Sequence, residues 1–96
     1  VPYVQTKEEA EAAVRYCKYP MDGVRGIAMS HRAITYGMNK DDYFPRANKD
    51  LIVIVAIETP LGVENIKEIV SVDGVDGIFI GPADLATPMG IQPKMF

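Results

Sequence analysis

The chain has 96 residues, a hydrophobic fraction of 48%, a formal net charge of −3 at pH 7 and a sequence pI near 5.0. That length suits one compact domain, since domains typically run from about 50 to 200 residues. The acidic balance lacks the basic surface that nucleic-acid binding requires, so we expect no nucleic-acid partner. The longest apolar run, 51–57, is far shorter than the roughly 20 residues that span a bilayer, and we expect no membrane association.

The chain contains a single cysteine, Cys17. One cysteine cannot form an internal disulfide, and a chain without disulfides is typical of a reducing compartment. No charged stretch followed by an apolar signal segment opens the sequence. We therefore expect a cytoplasmic protein.

The first half of the chain predicts a strand, a helix and a second strand. Val1–Val4 is apolar and β-prone. Thr6 follows as a helix cap, and Glu9 completes a capping box. The helix has one apolar stripe at helical spacing, formed by Ala10, Ala13, Val14 and Cys17. Pro20 ends this helix, and Gly26–Met29 predicts the second strand.

Residues 30–50 are polar and aromatic without a clear period. We interpret them as a long loop with one helical turn near Asp41–Tyr43. Loops of that length in compact domains often carry function.

The second half contains the clearest strand, Leu51–Ile57, whose seven apolar residues predict burial on both faces. Thr59 and Pro60 then provide a cap and a first-turn proline for one helix. Its apolar stripe consists of Val63, Ile66, Ile69 and Val70. Gly74 ends the helix, and Val75–Ile80 predicts a further strand.

This order predicts the α/β class, with parallel strands and intervening helices. A closed (β/α)8 TIM barrel takes about 250 residues. We therefore interpret 1–96 as a fragment of a single barrel domain that lacks its N-terminal and C-terminal parts. Open strand edges invite association, so we also expect a homo-oligomer.

Two carboxylates follow neighbouring predicted strands. Glu58 comes directly after Leu51–Ile57, and Asp84 comes shortly after Val75–Ile80. Functional residues of parallel α/β proteins lie at the carboxyl ends of strands, so both should face one opening. Two hard oxygen ligands suit Mg²⁺ or Mn²⁺. The alternative for Glu58 is a solvated charge at a helix start.

The turn Gly81-Pro82-Ala83-Asp84 is a candidate anion site. Glycine permits a close backbone approach, and proline stiffens the turn. The free N–H groups of Ala83 and Asp84 could bind a carboxylate, as helix starts bind anions. The alternative is an ordinary strand-to-helix turn that Asp84 caps.

Two long strings carry a family resemblance: AIETPLGVENIKEIVSVDGVDGIFIGPADLA, and VPYVQTKEEAEAAVRYCKYPMDGVRGIAMSHRA at the start of the chain. Both resemble the HpcH/HpaI family of class II, metal-dependent 2-keto-3-deoxy acid aldolases. The SHRA string 30–33 and the pair Tyr43-Phe44 are most similar to its 2-dehydro-3-deoxyglucarate aldolase branch. The resemblance runs from Val1 to about Gly90.

The resemblance implies reversible cleavage of a 2-keto-4-hydroxy acid to pyruvate and an aldehyde. It implies Mg²⁺, or Mn²⁺ or Co²⁺, held by Glu58 and Asp84, with the pyruvate carboxylate on the amides of Ala83 and Asp84. Gly81 and Pro82 would complete that substrate turn. Arg32 is a further candidate for a substrate carboxylate or a neighbouring subunit.

Two departures from the family pattern bear on activity. Ala56 stands where the family usually has a glutamine expected to touch pyruvate or its water. The family's histidine base and pyruvate-binding arginine correspond to positions before Val1, so we assign no catalytic residue within the chain. His31 is interpreted as a solvated loop histidine rather than a replacement base.

Two other functions stay open. One is a catalytically silent barrel fragment that binds a metal or assembles with partners, which the missing base and Ala56 favour. The other is a related lyase acting on CoA thioesters, although no basic cluster for CoA is evident.

Overall fold

The computed structural model describes residues 1–92. The chain forms two compact units, one made of Val1–Val14 and the chain from Ile52 onward, the other of Arg15–Leu51. In order, the elements are α1 (Lys7–Cys17), a 3₁₀ helix (Arg32–Gly37), α2 (Lys40–Asp50), β1 (Ile54–Ile57), α3 (Pro60–Glu64), α4 (Ile66–Val70), β2 (Gly77–Ile80) and α5 (Pro82–Ala86). No helix within residues 1–92 is long and apolar enough to cross a membrane.

The first unit is built on the parallel pair β1 and β2. Ile54 pairs with Gly77 and Ile57 pairs with Ile80. A parallel pair needs a crossover connection, and α3 and α4 provide it. Its core is apolar, and its largest fully buried side chains are Val55, Ile57 and Ile69. The expectation of an α/β architecture with parallel strands is therefore confirmed.

The segment 1–4 runs beside β1 as an irregular extension of the sheet. The terminal amino group of Val1 donates to the Ile54 carbonyl at 2.7 Å, and the Ala56 N–H donates to the Val1 carbonyl at 2.8 Å. The Ala56 carbonyl then accepts from Val4 at 3.1 Å, one residue later than a regular parallel ladder requires. The extra residue is a bulge, and Tyr3 within it has φ +54°.

The predicted caps Thr6 and Thr59 are present, although the Glu9 side chain bonds to the residue before the cap rather than to Thr6. The Thr6 hydroxyl accepts from the Glu9 N–H at 3.2 Å, and the Glu9 carboxylate accepts from the Gln5 N–H at 2.7 Å. The Thr59 hydroxyl accepts from the Gly62 N–H at 3.1 Å, with Pro60 opening α3. Both helices therefore begin where their first-turn amides find side-chain acceptors.

The single helix predicted after Thr59 is wrong in one respect, because it divides at Asn65 into α3 and α4. The Asn65 side chain donates to the Gln5 carbonyl at 2.9 Å. Asparagine competes for backbone groups and is a weak helix former, which explains a break at this position. Of the predicted stripe, Ile69 is buried, whereas Val63 and Val70 are 45% and 49% exposed.

The predictions for the second unit were largely wrong. Gly26–Met29 is not a strand, and Ile27 and Met29 are exposed. An apolar run becomes a strand only where a partner strand supplies hydrogen bonds. No strand of the described residues pairs with Gly26–Met29.

The expected loop 30–50 contains both the 3₁₀ helix and α2. Pro45 obscures α2 in the sequence, since proline is disfavoured inside helices. Arg46 partly offsets this effect through ion pairs with Asp42 at 3.0 Å and Asp50 at 2.5 Å, both at i,i+4 spacing.

Burial of the strands on both faces was also an incorrect expectation for this chain. Ile54 is 49% exposed and Phe79 is 60% exposed, although Val55 and Ile57 are fully buried. Each strand is also shorter than its apolar run. In β1 one face is covered and the other is open within residues 1–92, whereas the apolar side chains of β2 are exposed on both faces.

Candidate metal and substrate site

Glu58 directly follows β1 and is the one charged side chain among residues 1–92 that is buried, with 8% of its surface exposed. Its Oε2 accepts from the backbone N–H of Tyr3 at 2.8 Å. No basic side chain of the described residues forms an ion pair with it. A buried carboxylate is costly unless a positive charge or several donors compensate it, so this position suits a bound cation.

Gly81 fixes the other side of Glu58. The Gly81 N–H donates to the Ile57 carbonyl at 3.1 Å, which continues the β1–β2 ladder by one bond. A Cβ at Gly81 would lie 2.6 Å from Glu58 Oε1 and 2.7 Å from its Cγ. A side chain at position 81 would therefore force the Glu58 side chain to shift, so the observed position of the carboxylate favours glycine here.

Asp84 lies in the first turn of α5, and its side chain is exposed. Its Oδ1 accepts from the phenol hydroxyl of Tyr3 at 2.9 Å. This hydrogen bond, followed by partial burial and the charges of Asp84 and Glu58, raises the pKa of Tyr3 above its ordinary value of 10.0. One residue, Tyr3, thus contacts both predicted metal ligands.

Tyr3 was missed in the sequence. Its bulge places the backbone N–H on Glu58 while the side chain reaches Asp84, and neither contact has a local signature. The one available signal was topological, because Val1–Val4 was predicted as a strand whose end should reach the same edge as Glu58.

The predicted anion turn is a regular helix start. Pro82 occupies the first helical position of α5, which places the N–H groups of Ala83 and Asp84 in the first turn. First-turn amides have no acceptor inside their own helix. Binding of a carboxylate by these two amides, beside Asp84, stays a prediction.

The donor set fits a hard divalent cation with an incomplete protein shell. Residues 1–92 contain no group of three or more His, Cys, Asp or Glu side chains arranged to hold a metal. Glu58 and Asp84 would contribute two oxygens, and water or substrate oxygens would fill the rest. That pattern is typical of Mg²⁺, which keeps several waters and binds few carboxylates.

Arg32 and His31 belong to the second unit, whereas Glu58, Asp84 and Tyr3 belong to the first. Arg32 opens the 3₁₀ helix and is exposed, and its contact with a substrate or subunit stays a prediction.

His31 is half-buried, so its interpretation as a solvated histidine is correct only in part. Its Nε2 is buried without a hydrogen-bond partner among the described residues, and its ring packs edge-on against Tyr43 and Phe44. The packing of the ring against Tyr43 and Phe44, which has no local sequence signal, accounts for the part of His31 that is buried.

Comparisons with known proteins agree with this fold. Residues 1–95 match the sequence model of the family described as HpcH/HpaI aldolase/citrate lyase. A 5-keto-4-deoxy-D-glucarate aldolase of Salmonella arizonae is 50% identical over 90 residues, which are 94% of this chain and 35% of that protein. The chain thus spans about a third of the length of this relative.

Solved structures give the same result. An HpcH/HpaI aldolase/citrate lyase family protein from Burkholderia cenocepacia J2315 superposes with a TM-score of 0.87 at 39% identity, over 97% of this chain and 37% of that one. A citrate synthase, SbnG, superposes with a TM-score of 0.76 at 32% identity, over 98% and 34% of the two chains. The chain therefore belongs to the HpcH/HpaI aldolase/citrate lyase family, and its parallel strands and helices are part of a TIM barrel.

Proposed function

We propose that this chain forms the cation- and pyruvate-binding part of a metal-dependent aldolase, which cleaves a 2-keto-3-deoxy sugar acid to pyruvate and an aldehyde. The observation that carries the proposal is the buried Glu58 at the carboxyl end of β1, enclosed by Tyr3 and Gly81. The activity named for the Salmonella arizonae relative supports the same reaction class.

In this proposal Glu58 and Asp84 hold a divalent cation, Mg²⁺ or alternatively Mn²⁺ or Co²⁺. When bound, the cation supplies Lewis-acid polarisation of a keto group. The backbone amides of Ala83 and Asp84 bind the substrate carboxylate, and Gly81 and Pro82 set the approach to those amides. Arg32 is a further candidate for contact with a substrate carboxylate or with a neighbouring subunit.

The reaction breaks the bond between C3 and C4 of the keto acid. The C4 hydroxyl loses its proton and becomes the aldehyde oxygen, while the bonding electron pair moves toward the keto group, and a proton later returns to C3. Negative charge therefore develops on the keto oxygen, next to the carboxylate that the amides hold. Stabilising that charge where it develops is the main electrostatic contribution of such a site.

A second function, a chain that binds a cation but does not turn over substrate, is favoured by two observations. The single histidine of the chain, His31, packs in an aromatic cluster of the other unit, and we assign no general base to residues 1–92. Ala56 contributes only its main chain, which bonds to Val1 and Val4, where the family usually has a polar side chain.

A chimeric barrel tests the proposal, with 1–96 replacing the matching third of the Salmonella arizonae aldolase. Pyruvate release is measured with a coupled lactate dehydrogenase assay, with and without Mg²⁺. We expect metal-dependent release that Glu58→Gln and Asp84→Asn each reduce at least tenfold, whereas the exposed control Glu64→Gln leaves it unchanged. A folded chimera that releases pyruvate equally in all variants would exclude the proposed site.

A further inference from the structure

Tyr3 connects the two carboxylates on which the proposed function depends. Its backbone N–H donates to Glu58 Oε2 at 2.8 Å, and its phenol hydroxyl donates to Asp84 Oδ1 at 2.9 Å. No other described side chain donates a hydrogen bond to either carboxylate. The orientation of both carboxylates therefore depends on Tyr3, which is distant in sequence from Glu58 and from Asp84.

The backbone contact depends on the bulge in segment 1–4. In a regular parallel ladder the Tyr3 N–H would donate to the Ala56 carbonyl, but the Val4 N–H occupies that acceptor. Tyr3 has φ +54°, a conformation that non-glycine residues seldom adopt. The bulge frees one backbone donor, and that donor is the one that holds Glu58.

The side-chain contact holds the more exposed of the two carboxylates. Asp84 is exposed, and an exposed aspartate in a helix start otherwise samples several rotamers. A carboxylate has two oxygens with about four lone-pair sites, so Oδ2 stays free when the phenol donates to Oδ1. The hydrogen bond can therefore fix the side chain without occupying the oxygen that a cation needs.

We propose that Tyr3 is a positioning residue of this site, whose phenol hydroxyl orders Asp84 for binding of a divalent cation. The inference rests on the proposed function, because it assumes that Glu58 and Asp84 are the ligands. Ordering one side chain before binding removes an entropic cost of association. The typical magnitude of that cost predicts an effect of about threefold to tenfold on affinity.

The test measures Mn²⁺ binding to the whole chain, in the assembly that it forms in solution, by titration calorimetry and by electron paramagnetic resonance of the free ion. Tyr3→Phe keeps the ring and the backbone N–H and removes only the hydroxyl. We expect the dissociation constant to rise about threefold to tenfold. The control Tyr16→Phe, which alters a tyrosine that is 71% exposed on α1, should leave it unchanged.

A double-mutant cycle separates positioning from a general effect on folding. The loss caused by Tyr3→Phe should vanish in an Asp84→Ala background, because no carboxylate remains for the hydroxyl to order. If Glu58→Gln and Asp84→Asn weaken Mn²⁺ binding but Tyr3→Phe leaves it unchanged or tightens it, the positioning role is refuted while the site stands. An equal loss from Tyr3→Phe with and without Asp84 also refutes it. If neither carboxylate variant changes binding, the proposed function itself fails.

Discussion

The side chain of Glu58 lies directly against the backbone of Gly81, in the space where any larger residue would place its Cβ. Alanine can adopt the backbone conformation of Gly81, at φ −94° and ψ 88°. Glycine is therefore favoured at position 81 by the nearby Glu58 carboxylate and not by the conformation of the turn. The shape of the site thus depends on the close fit of two residues 23 positions apart, one at the end of β1 and one just after β2.

Gly81→Ala should therefore act through Glu58. A Cβ within 2.6 Å of Oε1 forces the carboxylate to move, and we expect Mn²⁺ affinity to fall at least tenfold. Overpacking of this kind also costs about 1–3 kcal/mol in the free energy of unfolding. Calorimetric titration measures the first effect and urea denaturation the second.

The matched control is Gly77→Ala at the start of β2, where a Cβ would meet nothing closer than Ile54 Cγ1 at 3.9 Å. It should leave Mn²⁺ binding unchanged. Equal affinity in Gly81→Ala and the unaltered chain would mean that Glu58 is not held where the site needs it.

Thr59→Ala removes the side-chain acceptor of the Gly62 N–H at the start of α3. Loss of such a cap typically costs about 1 kcal/mol of stability. Because Pro60 still opens the helix, the fold should persist with a lower urea midpoint and an unchanged dependence on urea concentration. Thr59→Ser, which restores an acceptor, should recover most of the loss, and a failure to do so would assign the effect to the lost methyl group.

The caps and the clearest strand were predictable because their causes are local. The run before Glu58 is apolar in part because Val55 and Ile57 face the core, and the adjacent pair Thr59-Pro60 signals a helix start. Glu58 and Asp84 followed from a rule of topology, that parallel strands present their carboxyl ends to one edge.

What the sequence could not supply was long-range pairing. Gly26–Met29 has the composition of a strand but no partner strand within residues 1–92. Pro45 argues against a helix in the sequence, yet α2 forms with the support of the ion pairs of Arg46. Tyr3 reads as one more apolar residue of a strand, yet a bulge turns its backbone to Glu58, 55 positions away. Such contacts are set by where strands meet, which local propensity does not encode.

The raised pKa of Tyr19 predicts that the second unit loses stability at alkaline pH. Burial raises the pKa of Tyr19 above 10.0, with Tyr43 acting in the same direction and the Arg25 guanidinium, 4.5 Å from the ring centre, opposing it. A raised phenol pKa means that the folded state binds the proton more tightly than the unfolded chain. The stability from Tyr19 is therefore complete below pH 10 and is lost as pH rises through the folded pKa.

Tyrosinate absorbance followed against pH should contain a late step above pH 10, to which Tyr3 also contributes and whose amplitude Tyr19→Phe reduces by one tyrosine. The loss of stability over the same range should disappear in Tyr19→Phe. Tyr16→Phe must keep this late step. A late step that survives in Tyr19→Phe with undiminished amplitude would contradict the assignment.

The open faces of the strands predict self-association. Ile54, Phe79 and Ile80 are 49%, 60% and 45% exposed on a sheet whose outer β2 edge has no strand partner within residues 1–92. Exposed apolar strands and open edges promote pairing between chains. Sedimentation velocity should give a mass above 10.6 kDa that Phe79→Lys lowers and the control Met21→Lys does not. A monodisperse monomer at that mass would contradict this expectation.

The central claim, that Glu58 and Asp84 share a divalent cation, is tested most directly by Mn²⁺ titration of the chain and its single variants. Glu58→Gln and Asp84→Asn should each weaken binding at least tenfold, about 1.4 kcal/mol, while the exposed control Asp73→Asn leaves the affinity unchanged. Unaltered affinity in both ligand variants, with the fold intact by circular dichroism, would contradict the account.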